Sequence, residues 1–503
     1  MGFLDNIALG LGEAITTTNL LYCFLGCLMG TLIGVLPGLG PAATIIMLMP
    51  LTFALDPTTS LIMLAGIYYG AQYGGSTTAI LVNIPGEASS TVTAIDGYQM
   101  ARKGQAGLAL STAAISSFIA GTIATLVIAV FAPVLAGVAL RFGPTEYFAL
   151  MVLGLVCSVV LASGSLVKAL AMVTLGLTAG VVGIDVTSGV ERFTFGFQPL
   201  SNGLDMVPVA MGVFGLGEII SNLSRPAEQR TTYAGRIGNM LPSRKELRRM
   251  LPPALRGTTL GSVLGVLPGG GALLASFATY AMEKRLARDP KSFGKGALEG
   301  VAGPEAANNA GAQTSFIPML TLGIPSTVIM ALMAGAMMIQ GIQPGPSVIR
   351  EQPDLFWGLI ASMWVGNLML VILNLPLVGV WVKLLTIPYR ILFPAILIFC
   401  AIGVIAINGR PFDIYIMVVF GLVGALFRRL DCEPAPFILG MVIGPLVEEY
   451  LRRAMLLSRG DPMIFLTRPI SAVLLALTVG LILMIALPSL RKRRDEALQE
   501  DGV

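Results

Sequence analysis

The sequence predicts an all-α polytopic membrane protein: about 12 transmembrane segments, with inverted repeats, paired re-entrant hairpins and broken helices. Three observations lead there. First, the 503 residues are 55% hydrophobic and 12% charged, with a mean hydropathy of +0.82. A soluble domain carries about 25% charged residues. Second, apolar runs recur from Leu20 to Leu487, several of them near the ~20 residues needed to cross a hydrocarbon core. Third, GTLIGVLPGLG at 30–40 returns 231 residues later as GSVLGVLPGGG at 261–271, with seven of eleven positions identical. A membrane β-barrel would instead alternate in segments of about ten residues, and the chain does not.

The elements follow in order. The opening stretch, MGFLDNIALGLGEAITTTN, reads as a short amphipathic lead-in and has no Lys or Arg, so it lacks the basic flank of a signal peptide. Apolar spans are expected at 20–36, 42–55, 59–84, 108–140, 146–162, 166–186 and 206–222. The second half gives 257–280, 312–341, 355–381, 389–407, 413–427, 434–447 and 469–489. Several are too short to cross alone. This divides the chain into a first membrane repeat (1–220), a basic cytoplasmic linker (221–256), a second membrane repeat (257–468), and a final helix with a basic tail (469–503). The linker holds eight Lys or Arg against two acidic residues, Glu228 and Glu246, and the tail ends in RKRR at 491–494, so both are placed in the cytoplasm. Arg452, Arg453, Arg459 and Arg468 oppose this arrangement, because it puts them outside.

Pro37 and Gly38 cannot continue an ordinary helix. In a bilayer, broken backbone survives only where protein or a water-filled cavity satisfies it. A single proline kink would be a packing device. A duplicated L-P-G-x-G between short apolar segments instead indicates two re-entrant hairpin tips, the best sequence pointer to a transporter site. A polar segment follows each tip, YYGAQYGGSTTAILVNIPGEASS at 68–90 and PEAANNAGAQTSFIPMLTLGIPST at 304–327. Matching Gly70-Ala71-Gln72 to Gly311-Ala312-Gln313 and Ile84-Pro85 to Ile324-Pro325 requires a one-residue indel. The substrate-binding candidates are Pro37, Gly38, Gly40, Ser76, Thr77, Asn83, Pro85, Pro268, Gly269, Gly271, Thr314, Ser315 and Pro325. The ion-coupling candidates are Gln72, Thr78, Asn308, Asn309 and Gln313, whose neutral oxygens suit a hard cation. Helix-packing and back-bonding explain hydroxyls such as Ser111, Thr112 and Thr174. Glu87 and Glu305 sit beside the duplicated segments as weaker candidates, while Asp96 and other charges near span ends are expected to reach water.

The chain has no histidine and five scattered cysteines without zinc-type spacing. No resident cofactor or metal is expected, other than Na⁺ as coupling ion. No nucleophile–base pair or paired intramembrane aspartate supports an enzyme. The net charge of +4 lies mostly in loops, against nucleic-acid binding.

GTLIGVLPGLGPAATIIMLMPLTF, YYGAQYGGSTTAILVNIPGE and EAANNAGAQTSFIPMLTLGIPS resemble the signature segments of the large membrane subunit of the tripartite tricarboxylate transporters. The resemblance runs over nearly the whole chain and includes GMVIGPLVEEYLRRAM at 440–455. It implies a permease in the bacterial inner membrane that works with a small membrane subunit and a periplasmic solute-binding protein. It implies uptake of small carboxylates driven by an ion gradient, often Na⁺. It also carries over Pro37, Gly38 and Gly40 with Pro268, Gly269 and Gly271, then Gly74 to Thr77, Asn83, Pro85, Asn308, Asn309, Gly323 and Pro325. The AGAQTSF run at 310–316 departs from the small residues expected there, which puts citrate itself in question. The rival reading is a stand-alone secondary transporter of another fold for a different small solute.

Overall fold

The computed structural model describes residues 2–36, 40–162, 165–185, 187–223, 237–238, 240–269, 271–385 and 389–486. Pro37, Gly38 and the tail at 491–494 lie outside them, as do residues 224–236 and 239 of the basic linker. Among the described residues, twenty-three α-helices follow one another with one two-stranded ribbon. They begin with α1 (Phe3–Ala14), α2 (Thr17–Gly34), α3 (Pro41–Leu48), α4 (Pro57–Val82), α5 (Ser90–Arg102), α6 (Ala106–Ala139), α7 (Pro144–Leu161) and α8 (Leu166–Gly180). The ribbon β1 (Gly183–Ile184) and β2 (Glu191–Arg192) precedes α9 (Met206–Ala210) and α10 (Gly217–Leu223), which a π-helical turn at 211–216 joins. Then come α11 (Arg244–Gly265), α12 (Gly271–Leu286), α13 (Glu299–Thr314), α14 (Phe316–Leu322), α15 (Val328–Ile339), α16 (Val348–Glu351), α17 (Pro353–Asn374) and α18 (Val378–Leu384). The last five are α19 (Tyr389–Asn408), α20 (Phe412–Arg429), α21 (Ala435–Leu457), α22 (Ile464–Thr467) and α23 (Pro469–Ala486). Three of the described helices, α2, α6 and α17, are long and apolar enough to cross a membrane by length and composition.

Local chemistry sets the helix starts. Asp56 accepts from the Thr58 N–H at the head of α4, with Pro57 at the first helical position. Ser243 and Glu246 form a capping box that starts α11 inside the basic linker, 13 residues before the expected span. The expected span 312–341 is divided at Gly323–Thr327, between α14 and α15, and α13 begins upstream of it at Glu299. A further helix, α5, lies between the expected spans and packs on α4 and α13.

The closest packing joins α2 to α4 and α11 to α13. A β-carbon on Gly26, Gly30 or Gly34 would overlap the carbonyl oxygen of Met63, Ile67 or Ala71. One on Gly257, Gly261 or Gly265 would overlap that of Gly303, Ala307 or Gly311. Within each pair both numbers rise together, so the paired helices run parallel. The glycine positions are offset by 231 residues and their carbonyl partners by 240. The offset of 240 is also that of Ile84-Pro85 to Ile324-Pro325, and of the left-handed helix ends Asn83 (φ 55°) and Gly323 (φ 71°). The one-residue indel expected from the Gly-Ala-Gln match is therefore not needed: structurally, Ala71 matches Gly311. What recurs is a small residue every fourth position against a carbonyl, which lets helices meet in a membrane.

The two pairs lie antiparallel to each other. The Tyr69 ring stands 6.2 Å from that of Phe316, while Ser76, two turns on, meets Glu305, three turns back. Helix α6 lies against α13, through Ser117–Asn309 and Thr125–Gln313, and α17 crosses α6, with Trp364 donating to the Thr122 carbonyl. Outside this core, α8 packs on α21 and α20 packs on α9–α10, again through glycines: Gly176 and Gly180 on one side, Gly212 and Gly424 on the other.

Candidate functional site

The antiparallel seam between α4 and α13 brings two carboxylates together with the amides expected to matter. Glu305 is completely buried within α13. The Ser76 hydroxyl contacts both of its oxygens, Oε2 at 3.0 Å, and also the Gln72 carbonyl at 3.2 Å. Glu87, in the turn between α4 and α5, accepts from Asn308 Nδ2 at 2.7 Å and is approached by Ser89 and Gln72. No Lys or Arg occurs between residues 57 and 101 or between 296 and 349, and among the described residues neither carboxylate joins an ion pair. A charge buried at membrane depth without a partner is expensive and marks function.

Around these carboxylates Asn309, Gln313 and Asn367 are occupied. Asn309 Nδ2 donates to Ser117 Oγ at 2.7 Å and to the Glu305 carbonyl at 3.1 Å. Gln313 Oε1 accepts from Thr125 at 2.8 Å. Tyr73 donates to Asn367 Oδ1 at 3.2 Å, and Asn367 Nδ2 to the Phe118 carbonyl at 2.9 Å. Beside Ser76 a cavity of about 20 Å³, lined also by Tyr73, Thr77, Ser117 and Asn374, has room for one water-sized molecule. Nothing much larger than water fits beside Ser76 in this conformation.

The expected substrate residues divide into groups. Ser76 joins the seam. Thr77, Thr78 and Thr314 return their hydroxyls to carbonyls one turn back, at 3.1, 3.0 and 3.0 Å, and Thr78 also reaches the Val35 carbonyl at 3.1 Å. Asn83 ends α4, exposed and left-handed. Pro85 and Pro325 lie in the two turns that break the helices, where Ser326 Oγ donates to the Ser315 carbonyl at 3.1 Å and Ser315 Oγ to that of Ala312. Gly40 heads α3 with its β-position 3.3 Å from the Gly86 carbonyl. In the second hairpin the Gly269 N–H donates to the Ser326 carbonyl at 2.8 Å. Gly269 has φ 103°, and a β-carbon there would stand 2.5 Å from Ser158 Cα, so only glycine fits. Pro268 lies against Gly154 of α7, and Gly271 passes too close to the Leu264 carbonyl for any side chain. The second tip thus packs on its own helix break and on α7. Pro37 and Gly38, its expected counterparts, lie outside the described residues.

Sequence reading held Glu87 and Glu305 only as weaker candidates and placed Asp96 in water. Asp96 is fully buried and accepts from Tyr280 Oη at 2.9 Å and from the N–H groups of Gly296 and Ala297 at 2.6 and 2.8 Å. It ties α5 to α12 and to the loop before α13. The signal for Glu305 lay in its neighbours: it stands three and four positions before Asn308 and Asn309 in a run of Ala and Gly, so all three share one helix face.

A 52.8 kDa protein encoded in the TAR-I ttuC' 3' region of Agrobacterium vitis, itself uncharacterised, is 60% identical over 501 residues, covering 100% of both chains. A second A. vitis protein, from the TAR-II ttuC' 3' region, is 62% identical over 241 residues, which is 48% of this chain and 100% of that one. No solved structure matches the chain. Residues 20–439 match the family model described as the tripartite tricarboxylate transporter TctA family. With that match across both hairpins, both broken helices and the seam between them, the chain belongs to the TctA family, the large subunits of tripartite tricarboxylate transporters.

Proposed function

We propose that the chain is the membrane-spanning permease of a secondary transporter that depends on a solute-binding protein. It imports small di- or tricarboxylates coupled to a cation gradient, with Na⁺ favoured over H⁺. Its partners are a small membrane subunit and a periplasmic solute-binding protein, and its place is the bacterial inner membrane. One observation carries this reading: two carboxylates without a basic partner, Glu305 fully buried and Glu87 half-buried, line the seam between the halves. An anionic substrate brought near them is repelled unless cations enter with it. Moving net negative charge inward also works against the membrane potential, by about 2.3 kcal/mol per charge per 100 mV. Cation binding offsets both terms.

We read the chain as two inverted repeats, and the helix ends support this. One set gathers around the basic linker: the Gly107 N–H donates to the Ile237 carbonyl at 2.6 Å, Arg249 pairs with Glu299 at 2.9 Å and Arg256 with Glu283 at 2.6 Å. Lys168 joins the Leu430 carbonyl, and Arg428 pairs with Glu218, near where α10 runs toward the same linker. The opposite set joins Asn19 to Thr59, Gln340 to the carbonyls of Thr52 and Leu55, Tyr147 to Tyr450 and Phe197 to Phe412. With the linker inside, α2 and α3 enter and return outside, while α11 and α12 enter and return inside. Arg452 then faces outside, but paired with Asp185 and Glu448, and Arg453 with Glu449. Their charge is neutralised locally, which removes part of the objection they raise. An elevator-type movement of hairpins and broken helices against the remaining spans suits this layout.

Affinity purification of the tagged chain from membranes tests the assembly. The reading expects a small membrane subunit and, with carboxylate present, a solute-binding protein to co-purify. A chain that transports alone, with neither partner, would point to a stand-alone carrier.

A further inference from the structure

Glu87 stands where the turn after α4 meets α13. Two amides approach it with their NH₂ groups, Asn308 at 2.7 Å and Gln72 beside it. Each leaves its oxygen buried and without a hydrogen-bond partner, Asn308 Oδ1 and Gln72 Oε1, in residues 0% and 1% exposed. The Thr93 hydroxyl is likewise buried and approaches Glu305. An unpaired buried acceptor is costly, and native proteins leave few. Two such amide oxygens and a hydroxyl next to two carboxylates, with no Lys or Arg on these segments, have the composition of a hard-cation site.

The other expected ion ligands lack this property. Asn309, Gln313 and Thr78 all spend polar atoms on protein partners. Among the described residues no three carboxylate, thiol or imidazole groups converge, which fits a singly charged ion better than a divalent one.

We propose that Glu87, Gln72 and Asn308 form a Na⁺ site, with Glu305 and Thr93 beside it. It rests on the permease reading above for Na⁺ as the coupling ion, and narrows the five ion-coupling candidates to two while adding Glu87. The site takes ligands from both halves, so an ion held there joins the turn after α4 to α13. Loss of the ion leaves Glu87 and Glu305 facing each other uncompensated.

The test uses the purified full chain in lipid nanodiscs, with ²²Na⁺ as probe and choline holding ionic strength constant. Wild type binds ²²Na⁺ saturably, and unlabelled Na⁺ displaces it. Glu87→Gln and Asn308→Ala each weaken binding at least tenfold, Glu87→Asp recovers part of it, and Thr174→Val on the outer face of α8 matches wild type. Thermal melting checks that each variant is folded, and if Glu87→Gln is not, Asn308→Ala and Gln72→Leu carry the same test. Wild-type binding in folded Glu87→Gln or Asn308→Ala, or no binding by wild type, overturns the site. The assay needs no substrate, so its failure is separable from that of the permease reading. Na⁺-driven uptake with binding intact in Glu87→Gln sinks the site alone. Binding lost in Glu87→Gln, in a complex that never accumulates carboxylate, sinks the permease reading alone.

Discussion

Substituting Gly30 by Ala adds one methyl at the tightest seam of the first helix pair. That carbon would overlap the Ile67 carbonyl oxygen and stand 2.8 and 2.9 Å from Ile67 Cα and C, against 3.4–4 Å for an ordinary contact. Everything it meets is helix backbone, which cannot rotate aside, so α2 and α4 have to part by roughly 0.6–1 Å. A gap of that size forfeits a quarter to a half of each dispersion contact across the seam. Overpacking of this kind costs about 1–3 kcal/mol. Gly26 and Gly34 share the seam, so a second Ala adds less than the first, since the helices have already separated. Gly12 and Gly137 meet nothing within 4 Å at their β-positions. Ala at either is neutral or gains up to about 1 kcal/mol from helix propensity. Unfolding by SDS titration in mixed micelles measures each of these variants. Gly30→Ala at or above wild-type stability, or strict additivity of Gly26→Ala with Gly30→Ala, would refute the close-approach argument.

Three further outcomes are expected. Asp96→Ala strands the Tyr280 hydroxyl and two N–H groups, at about 1–3 kcal/mol each, so the variant should express poorly, while Tyr280→Phe loses only about 1 kcal/mol; equal melting shifts would contradict this. The Ser188 hydroxyl, the Thr187 N–H and Arg452 hold the Asp185 carboxyl down at about 2. A carboxyl with a lowered native value contributes stability that is complete above its unfolded value, ~3.9, and is lost as pH falls through about 2. Protease resistance of the loop at 187–203 should therefore persist from pH 7 to 4.5, and a loss between pH 6 and 4.5 would count against the cluster. Finally, a β-carbon on Gly154 would lie 4.0 Å from that of Pro268, within the range for a disulfide. In a background lacking the native cysteines, Gly154→Cys with Pro268→Cys should cross-link on oxidation and arrest transport. Undiminished transport by the cross-linked protein rules out movement of the second hairpin against α7.

The class of the fold was legible because hydropathy reports solvent, and this chain's solvent is lipid. The helix break at Pro268 and Gly269 was legible because Pro and Gly break helices whatever surrounds them. The start of α11 was not: it lies in a basic stretch with Pro252 and Pro253, where charge suggested a linker and only the Ser243–Glu246 capping box announced a helix. The repeat register was misread because Gly-Ala-Gln identity drew the alignment, whereas packing repeats a spacing of small residues against carbonyls. Glu305 ranked low since its partner, Ser76, lies 229 positions away and meets it only when the two helix pairs pack antiparallel. Long-range pairing of that kind leaves no local periodicity to read.

The central claim is cation-coupled carboxylate uptake. Its most direct test is accumulation of labelled di- and tricarboxylates by proteoliposomes containing the chain with its co-purified membrane subunit and binding protein, under imposed gradients. The account predicts accumulation above equilibrium under an inward Na⁺ gradient and its loss when Na⁺ and H⁺ gradients are both collapsed. Accumulation that continues with both collapsed would contradict it.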